Sequence, residues 1–218
     1  MTTIIRKNLM AVTGLFLCLF LVVHLLGNLQ LLLSPDEAST DFNSYSKFMT
    51  GNPVIKTISY LLYLSIILHS VFALIISRSN GQSAAVYAYD KRSVSSSWYS
   101  RNMGFLGLII LVFLIVHMKD FWFQYKFGDL PVDQNGNKDL YTIVIAAFGQ
   151  LWYVLLYVVA FIALGYHLAH GFFSAFKSLG VYNLRLSKVL YGFTLILTVV
   201  LTAGFTFIPI YVYIKYHL

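Results

Sequence analysis

The chain has 218 residues, 59% of them hydrophobic and only 11% charged, with a mean hydropathy of +0.75. A soluble domain of this length carries far more charge on its surface, so a soluble enzyme or binding module is excluded. The formal charge of +7 does not point to nucleic acid, because no basic stripe with interleaved aromatics exists. The positive residues lie between apolar runs, where membrane topology and lipid headgroups explain them.

Five charge-free stretches follow one another, at residues 8–35, 57–77, 102–118, 140–176 and 189–214. A helix crosses the hydrocarbon in about 20 residues, which predicts one all-α bundle of five transmembrane helices at about 8–33, 55–77, 101–125, 141–176 and 187–214. Arg6 and Lys7 precede the first span. It is too long for a signal-peptide core and no A-x-A-like site follows it, so it is read as retained. Its Cys18, the single cysteine, reads as a small apolar residue. The third run ends about a turn short at Lys119 and Asp120, but a lysine there can snorkel, and Trp122 and Tyr125 fit an aromatic belt. The polar stretches 34–53, 79–98 and 128–138 each have room for a short helix or a turn, and Asn135-Gly136 is a turn signal. None can fold as a separate domain, so residues 1–218 form a single membrane unit.

Alternating loops place Arg6, Lys7, Arg78, Lys91, Arg92, Arg101, Lys177, Arg185 and Lys188 on one side, with Asp90 as their one acid. The other side holds Lys47, Lys56, Lys119, Lys126, Lys138 and Lys215 together with seven acids. Nine basic residues against six, with every arginine among the nine, predict a cytoplasmic N-terminus and an external C-terminus.

Five of the six histidines fall within or at the ends of the spans: His24, His69, His117, His167 and His170. An imidazole in hydrocarbon needs a partner, whether a carbonyl of a neighbouring helix or a functional ligand. Counted from the flanking basic residues, His24 and His117 lie about 26 and 24 Å from the cytoplasmic side, and His69 and His167 about 14 and 15 Å. The histidines therefore form an outer pair on spans one and three and an inner pair on spans two and four, with levels about 10–12 Å apart. Two imidazoles facing each other at equal depth are what bis-histidine ligation of a heme iron requires. This predicts two b-type hemes. Neither a C-x-x-C-H motif nor a carboxylate cluster offers another metal site. Each ligand's second ring nitrogen should donate to a carbonyl or hydroxyl. Gly14, Gly27, Ser65, Gly107, Gly165 and Gly171 leave room for a porphyrin edge or let helices pack closely.

The motifs that bear these residues are Thr13-Gly14-Leu15 with His24 ten residues after the glycine, and Gly51-Asn52-Pro53 ahead of His69. His117-Met118-Lys119-Asp120-Phe121-Trp122 follows, and then Tyr166-His167-Leu168-Ala169-His170-Gly171 with Gly180 downstream. In order and spacing the whole chain resembles the di-heme cytochrome b membrane subunit of succinate:quinone oxidoreductases, the succinate dehydrogenases and fumarate reductases. The resemblance implies a bacterial cytoplasmic membrane and a flavoprotein with an iron–sulfur subunit docked on the cytoplasmic face. It also implies a quinone, usually menaquinone, as electron partner. It favours His167 over His170 as the inner ligand, because glycines follow at the family's distances, Gly171 and Gly180. His170, Lys177, Arg78, Arg101 and Trp98 are then candidates to hold the inner heme's propionates, or else interfacial residues that set topology. Some family members carry a glutamate between the first two spans for proton uptake at an outer quinone. The corresponding place falls near Asn43, so Asp41, Asp36 or Glu37 would have to substitute. Asp120, three residues beyond His117, is a further proton carrier or an interfacial carboxylate paired with Lys119.

Two other functions fit part of this pattern. The same histidines could serve a di-heme cytochrome b of a formate dehydrogenase or hydrogenase. A transporter with a histidine relay would call for charged residues or broken helices at the midplane. Spans one, two, four and five contain no Asp, Glu, Lys or Arg in their interior.

Overall fold

The computed structural model describes residues 3–84, 98–181 and 183–217. Asp90, Lys91 and Arg92, which enter the charge count above, lie outside the described residues, as does most of the 79–98 stretch. Among the described residues, five helices are long and apolar enough to cross a membrane: Ile4–Leu32, Pro53–Arg78, Met103–Phe127, Leu151–Ser178 and Arg185–Tyr216. The chain is an all-α, multi-pass membrane bundle.

Helix α1 (Thr3–Asn28) ends in a 3-10 turn, Leu29–Leu32. The polar stretch that follows forms a full helix, α2 (Pro35–Gly51). Its start has the residues for one: Ser34 donates to the Glu37 carboxylate at 2.6 Å, and Pro35 takes the first position, where no backbone donor is needed. Helix α3 (Pro53–Ala84) begins in the same way, with Pro53 first and the Asn52 side chain accepting from the Val54 amide at 2.9 Å. Helix α4 (Met103–His117) passes into a π-helical turn, Met118–Phe123, and finishes as Gln124–Phe127. This carries the third span through Lys119 and Asp120, so the span that looked a turn short is complete.

The fourth apolar run was expected as one span at 141–176, and it is two helices. Helix α5 (Leu140–Phe148) stops at Gly149, Gln150 turns extended, and α6 (Leu151–Ser178) begins. The 37-residue run (140–176) is far longer than the about 20 residues a crossing needs, so its first part is free to form a separate helix. Between α4 and α5, residues 128–139 turn through Gly136, whose φ is +70°, and one bridge joins Val132 to Lys138. Helix α7 (Leu184–His217) completes the bundle.

Helices α1, α3, α4 and α6 surround a cavity, and α7 packs against α6 and α1 and lines part of it through Phe205, Ile208 and Pro209. Close approach of α6 and α7 depends on Gly165. A Cβ there would come within 2.7 Å of the Thr202 hydroxyl oxygen. Gly165 thus serves helix packing, as the second of its two readings held. At the end where α1 finishes, called the far end below, α2 and α5 are tied together by Asn43. It is 0% exposed, donates to Asp139 at 3.0 Å and accepts from the Tyr141 amide at 3.0 Å. Lys215 on α7 donates to the Leu33 carbonyl at the same end.

Candidate functional site: two facing histidine pairs in one cavity

The cavity has a volume of 1860 Å³ and is lined from Lys7 and Arg101 at the near end to Lys56 and Lys126 at the far end. Small-molecule pockets run to about 300–1,000 Å³, so this space accepts more than one ordinary ligand. Its wall is largely apolar, and the exceptions include all five intramembrane histidines. Among the described residues no three His, Cys, Asp or Glu side chains converge on a point where they could hold a metal ion.

The histidines meet in two pairs. His24 on α1 faces His117 at the end of α4, with ring centroids 5.7 Å apart. His69 on α3 faces His167 on α6 at 6.2 Å. Imidazole–metal bonds of about 2.0–2.1 Å, the length known at zinc, put facing nitrogens about 4 Å apart across a shared metal. Adding the two ring radii brings the centroids close to the observed separations. Among the described residues each level offers two facing imidazoles, a donor set that would suit a metal bringing its other ligands with it.

One member of each pair has a hydrogen-bond partner at Nδ1, and for His69 the partner fixes the tautomer. Thr13 donates its hydroxyl proton to the Leu9 carbonyl at 2.8 Å, so toward His69 Nδ1, 3.3 Å away, it offers a lone pair. His69 Nδ1 must then carry the proton, which leaves Nε2 with a free lone pair. In the other pair His117 Nδ1 lies 2.9 Å from the Tyr157 hydroxyl. His167 departs from the expected second-nitrogen partner, because its Nδ1 is buried with no hydrogen bond.

Each ring of the near pair lies flush on a glycine. A Cβ at Gly14 would meet His69 Cε1 at 3.2 Å, and one at Gly107 would meet His167 Cε1 at 3.6 Å. Gly14, Gly27, Gly107 and Gly171 line the cavity, whereas Ser65 and Gly165 do not. At Gly27 the close neighbour is the Tyr45 ring, 2.5 Å from a would-be Cβ.

These contacts also give the separation of the levels. Gly14 marks the near level on α1 and His24 the far level, ten residues on. Gly107 and His117 on α4 repeat that spacing, and so do Tyr157 and His167 on α6. Ten residues rise about 15 Å. This is a rise along the helix axis, and the spacing of about 10–12 Å expected from the flanking basic residues was counted along the membrane normal.

Of the five candidate anion-binding residues at the near end, His170 and Arg101 line the cavity. Arg78, Lys177 and Trp98 lie outside its wall; Lys177 sits over the Phe173 ring and Trp98 against Tyr166. The His170 ring lies 6.1 Å from that of Tyr99. Lys7, also on the wall, was not among the candidates.

The proton-carrying candidates separate as well. Asp41 is exposed and away from the cavity, and Asn43 is committed to Asp139 and Tyr141. Asp120 accepts from the Tyr153 hydroxyl at 3.1 Å, and Tyr153 lies 3.3 Å from Tyr157. Its other oxygen is 3.7 Å from Lys119 Nζ. Both tyrosines escaped the sequence reading. In an aromatic-rich span they look like packing residues, and the one clue is that Tyr157 stands ten residues before His167, the interval that separates the levels elsewhere.

Comparison of this chain with protein-family models, with curated proteins and with solved structures returns no match.

Proposed function

We propose that the chain is the di-heme cytochrome b membrane anchor of a succinate:quinone oxidoreductase. In this role it passes electrons between a docked iron–sulfur subunit and a quinone, in the bacterial lineage typically menaquinone. The observation that carries the reading is the pair of facing imidazole sets, 5.7 and 6.2 Å apart, opening on one cavity. A b-type heme bound at each set would supply a one-electron iron couple, and the two sets lie about 15 Å apart along the bundle. His69 and His167 hold the near position, His24 and His117 the far one. His170 and Arg101 stand where they can meet anionic propionates at the near end.

The flavoprotein and iron–sulfur partners belong at the near, arginine-bearing end, which the positive-inside count makes cytoplasmic. Arg78 and Lys188 are exposed there.

Pyridine hemochrome assay of the purified chain, together with reduction of its heme bands in native membranes, tests the proposal. Two hemes per chain reduced by succinate are expected. Bands that respond only to formate or hydrogen would move the chain to a different dehydrogenase, and a protein without heme would end the heme reading.

A further inference from the structure

We propose that Asp120 is a positioning residue of the far histidine pair: through Tyr153 and Tyr157 it fixes the proton on His117 Nδ1 and lowers the reduction potential of the metal held there. The inference rests on the heme reading above and adds to it a tuning device made from four side chains.

The direction of each hydrogen bond follows from counting protons. As a carboxylate Asp120 only accepts, so the single proton of Tyr153 goes to it, at 3.1 Å. The Tyr153 oxygen then accepts from Tyr157, 3.3 Å away. Tyr157 has given up its one proton in this direction and can only accept from His117, at 2.9 Å. The chain therefore runs His117 Nδ1–H to Tyr157 to Tyr153 to Asp120, with every bond pointing the same way. His117 Nε2 is left as the ligating nitrogen.

Bonds aligned in one sense polarise one another, and the medium is apolar. The negative end draws the Nδ1 proton outward, and the imidazole becomes a stronger donor at Nε2, as a carboxylate does for a metal-bound histidine. Stronger donation favours the oxidised metal. Tyr153 and Tyr157 are buried, four residues apart on α6, so both point to one side of that helix. Asp120 reaches them from the π-helical turn that follows His117, and such turns recur at functional sites. Lys119 beside Asp120 does not close the carboxylate off, because its side chain is 76% exposed and its nitrogen is 3.7 Å from the other oxygen. Among the described residues the near pair has no carboxylate linked to it by hydrogen bonds: His69 is backed by the neutral Thr13 hydroxyl and the Met10 backbone, and His167 Nδ1 has no hydrogen bond. The device is thus specific to one level.

Redox-titrated difference spectra of the heme-loaded chain test this with Asp120→Asn, Asp120→Glu, Tyr153→Phe and the Asp120→Asn/Tyr153→Phe double variant. Asp120→Asn should raise the midpoint potential of one center and leave the other where it is. A threefold to tenfold change in that equilibrium corresponds to about 30–59 mV for one electron. Tyr153→Phe should shift the same center in the same sense, the double variant should shift no further than the larger single, and Asp120→Glu should restore most of the wild-type value. The proposal is overturned by wild-type potentials in Asp120→Asn, by wild-type potentials in Tyr153→Phe, or by additive shifts in the double variant, which would mean that the charge acts through space. If Asp120→Asn does not assemble, Tyr153→Phe decides alone. A wild-type chain without heme overturns the reading beneath and this proposal with it, whereas normal hemes with unmoved potentials overturn only the tuning.

Discussion

Gly14 and Gly107 each lie against a ring of the near histidine pair, and the same substitution should have opposite effects at the two. Carbon atoms in good contact sit about 3.5–4.0 Å apart. A Cβ at position 14 would lie 3.2 Å from His69 Cε1 and 3.5 Å from Nδ1, so the ring must give way by several tenths of an ångström. Its bond to Thr13, at 3.3 Å, is already long and would not survive that movement. Overpacking of this kind costs about 1–3 kcal/mol, and replacing a helical glycine by alanine returns about 0.5–1 kcal/mol. Gly14→Ala should therefore destabilise the protein by up to about 2.5 kcal/mol net. At position 107 the nearest atom is 3.6 Å away, an ordinary contact, so only the favourable term remains. Gly107→Ala should stabilise by about 0.5–1 kcal/mol. In a chain of this length each kcal/mol moves the midpoint of thermal unfolding by about 2–4 °C. Thermal unfolding of the detergent-solubilised variants should place them on opposite sides of the wild type. Equal shifts in one direction would show that Gly14 does not face His69 as described.

Four further outcomes are expected. His167→Ala should remove one heme and spare the other, while His170→Ala should keep both and at most shift one potential; the reverse pattern in absorption spectra would exchange their roles. Asp139→Ala should weaken α5 by about 1–3 kcal/mol, since it removes the acceptor for the Thr142 amide and leaves the buried Asn43 amide short of a partner, and hydrogen exchange across Leu140–Phe148 would read it. Burial of Asp139 alone would raise its pKa, but bonds from Thr142 and Asn43 outweigh it and hold the carboxyl below its usual range; backbone bonds from Asn137 and Asn135 do the same for Asp133. Because both folded pKa values are depressed, their stabilising contribution is complete above the ordinary carboxylate pKa of about 3.9 and fades only as pH falls through the lowered values. Protection factors in residues 128–139, taken relative to the intrinsic exchange rate at each pH, should accordingly be flat down to about pH 4 and fall below it. Reporter fusions at the C-terminus and at Val86, which lies outside the described residues, should report opposite sides of the membrane; the same side for both would contradict the five-span topology.

The five crossings and the pairing of His24 with His117 were legible in the sequence from the helical rise per residue; depth barely separated His167 from His170, and the choice of His167 opposite His69 leaned on the family resemblance. The interval between levels is read more directly from Gly14 and His24, ten residues apart on one helix, than from basic residues on four different helices, because helix ends carry no mark of their depth. The break at Gly149 was hidden, since an apolar run shows length and not direction. Residues 34–53 left helix and turn open, and the pairing of Ser34 with Glu37 was the cue for the helix that forms. Six small residues were equivalent in the sequence, yet contacts separate Gly14 and Gly107, which lie on histidine rings, from Gly165, which lies on Thr202. The link from His117 to Asp120 escaped because it passes through tyrosines of a different helix, and sequence spacing relates only residues on the same one.

The most direct test of the account is a redox-titrated difference spectrum of the purified protein beside His24→Ala and His69→Ala. Two b-type components with distinct midpoint potentials are expected, with one lost in His24→Ala and the other in His69→Ala. A single component, or the same component lost in both variants, would contradict the two-level arrangement of His24 with His117 and His69 with His167.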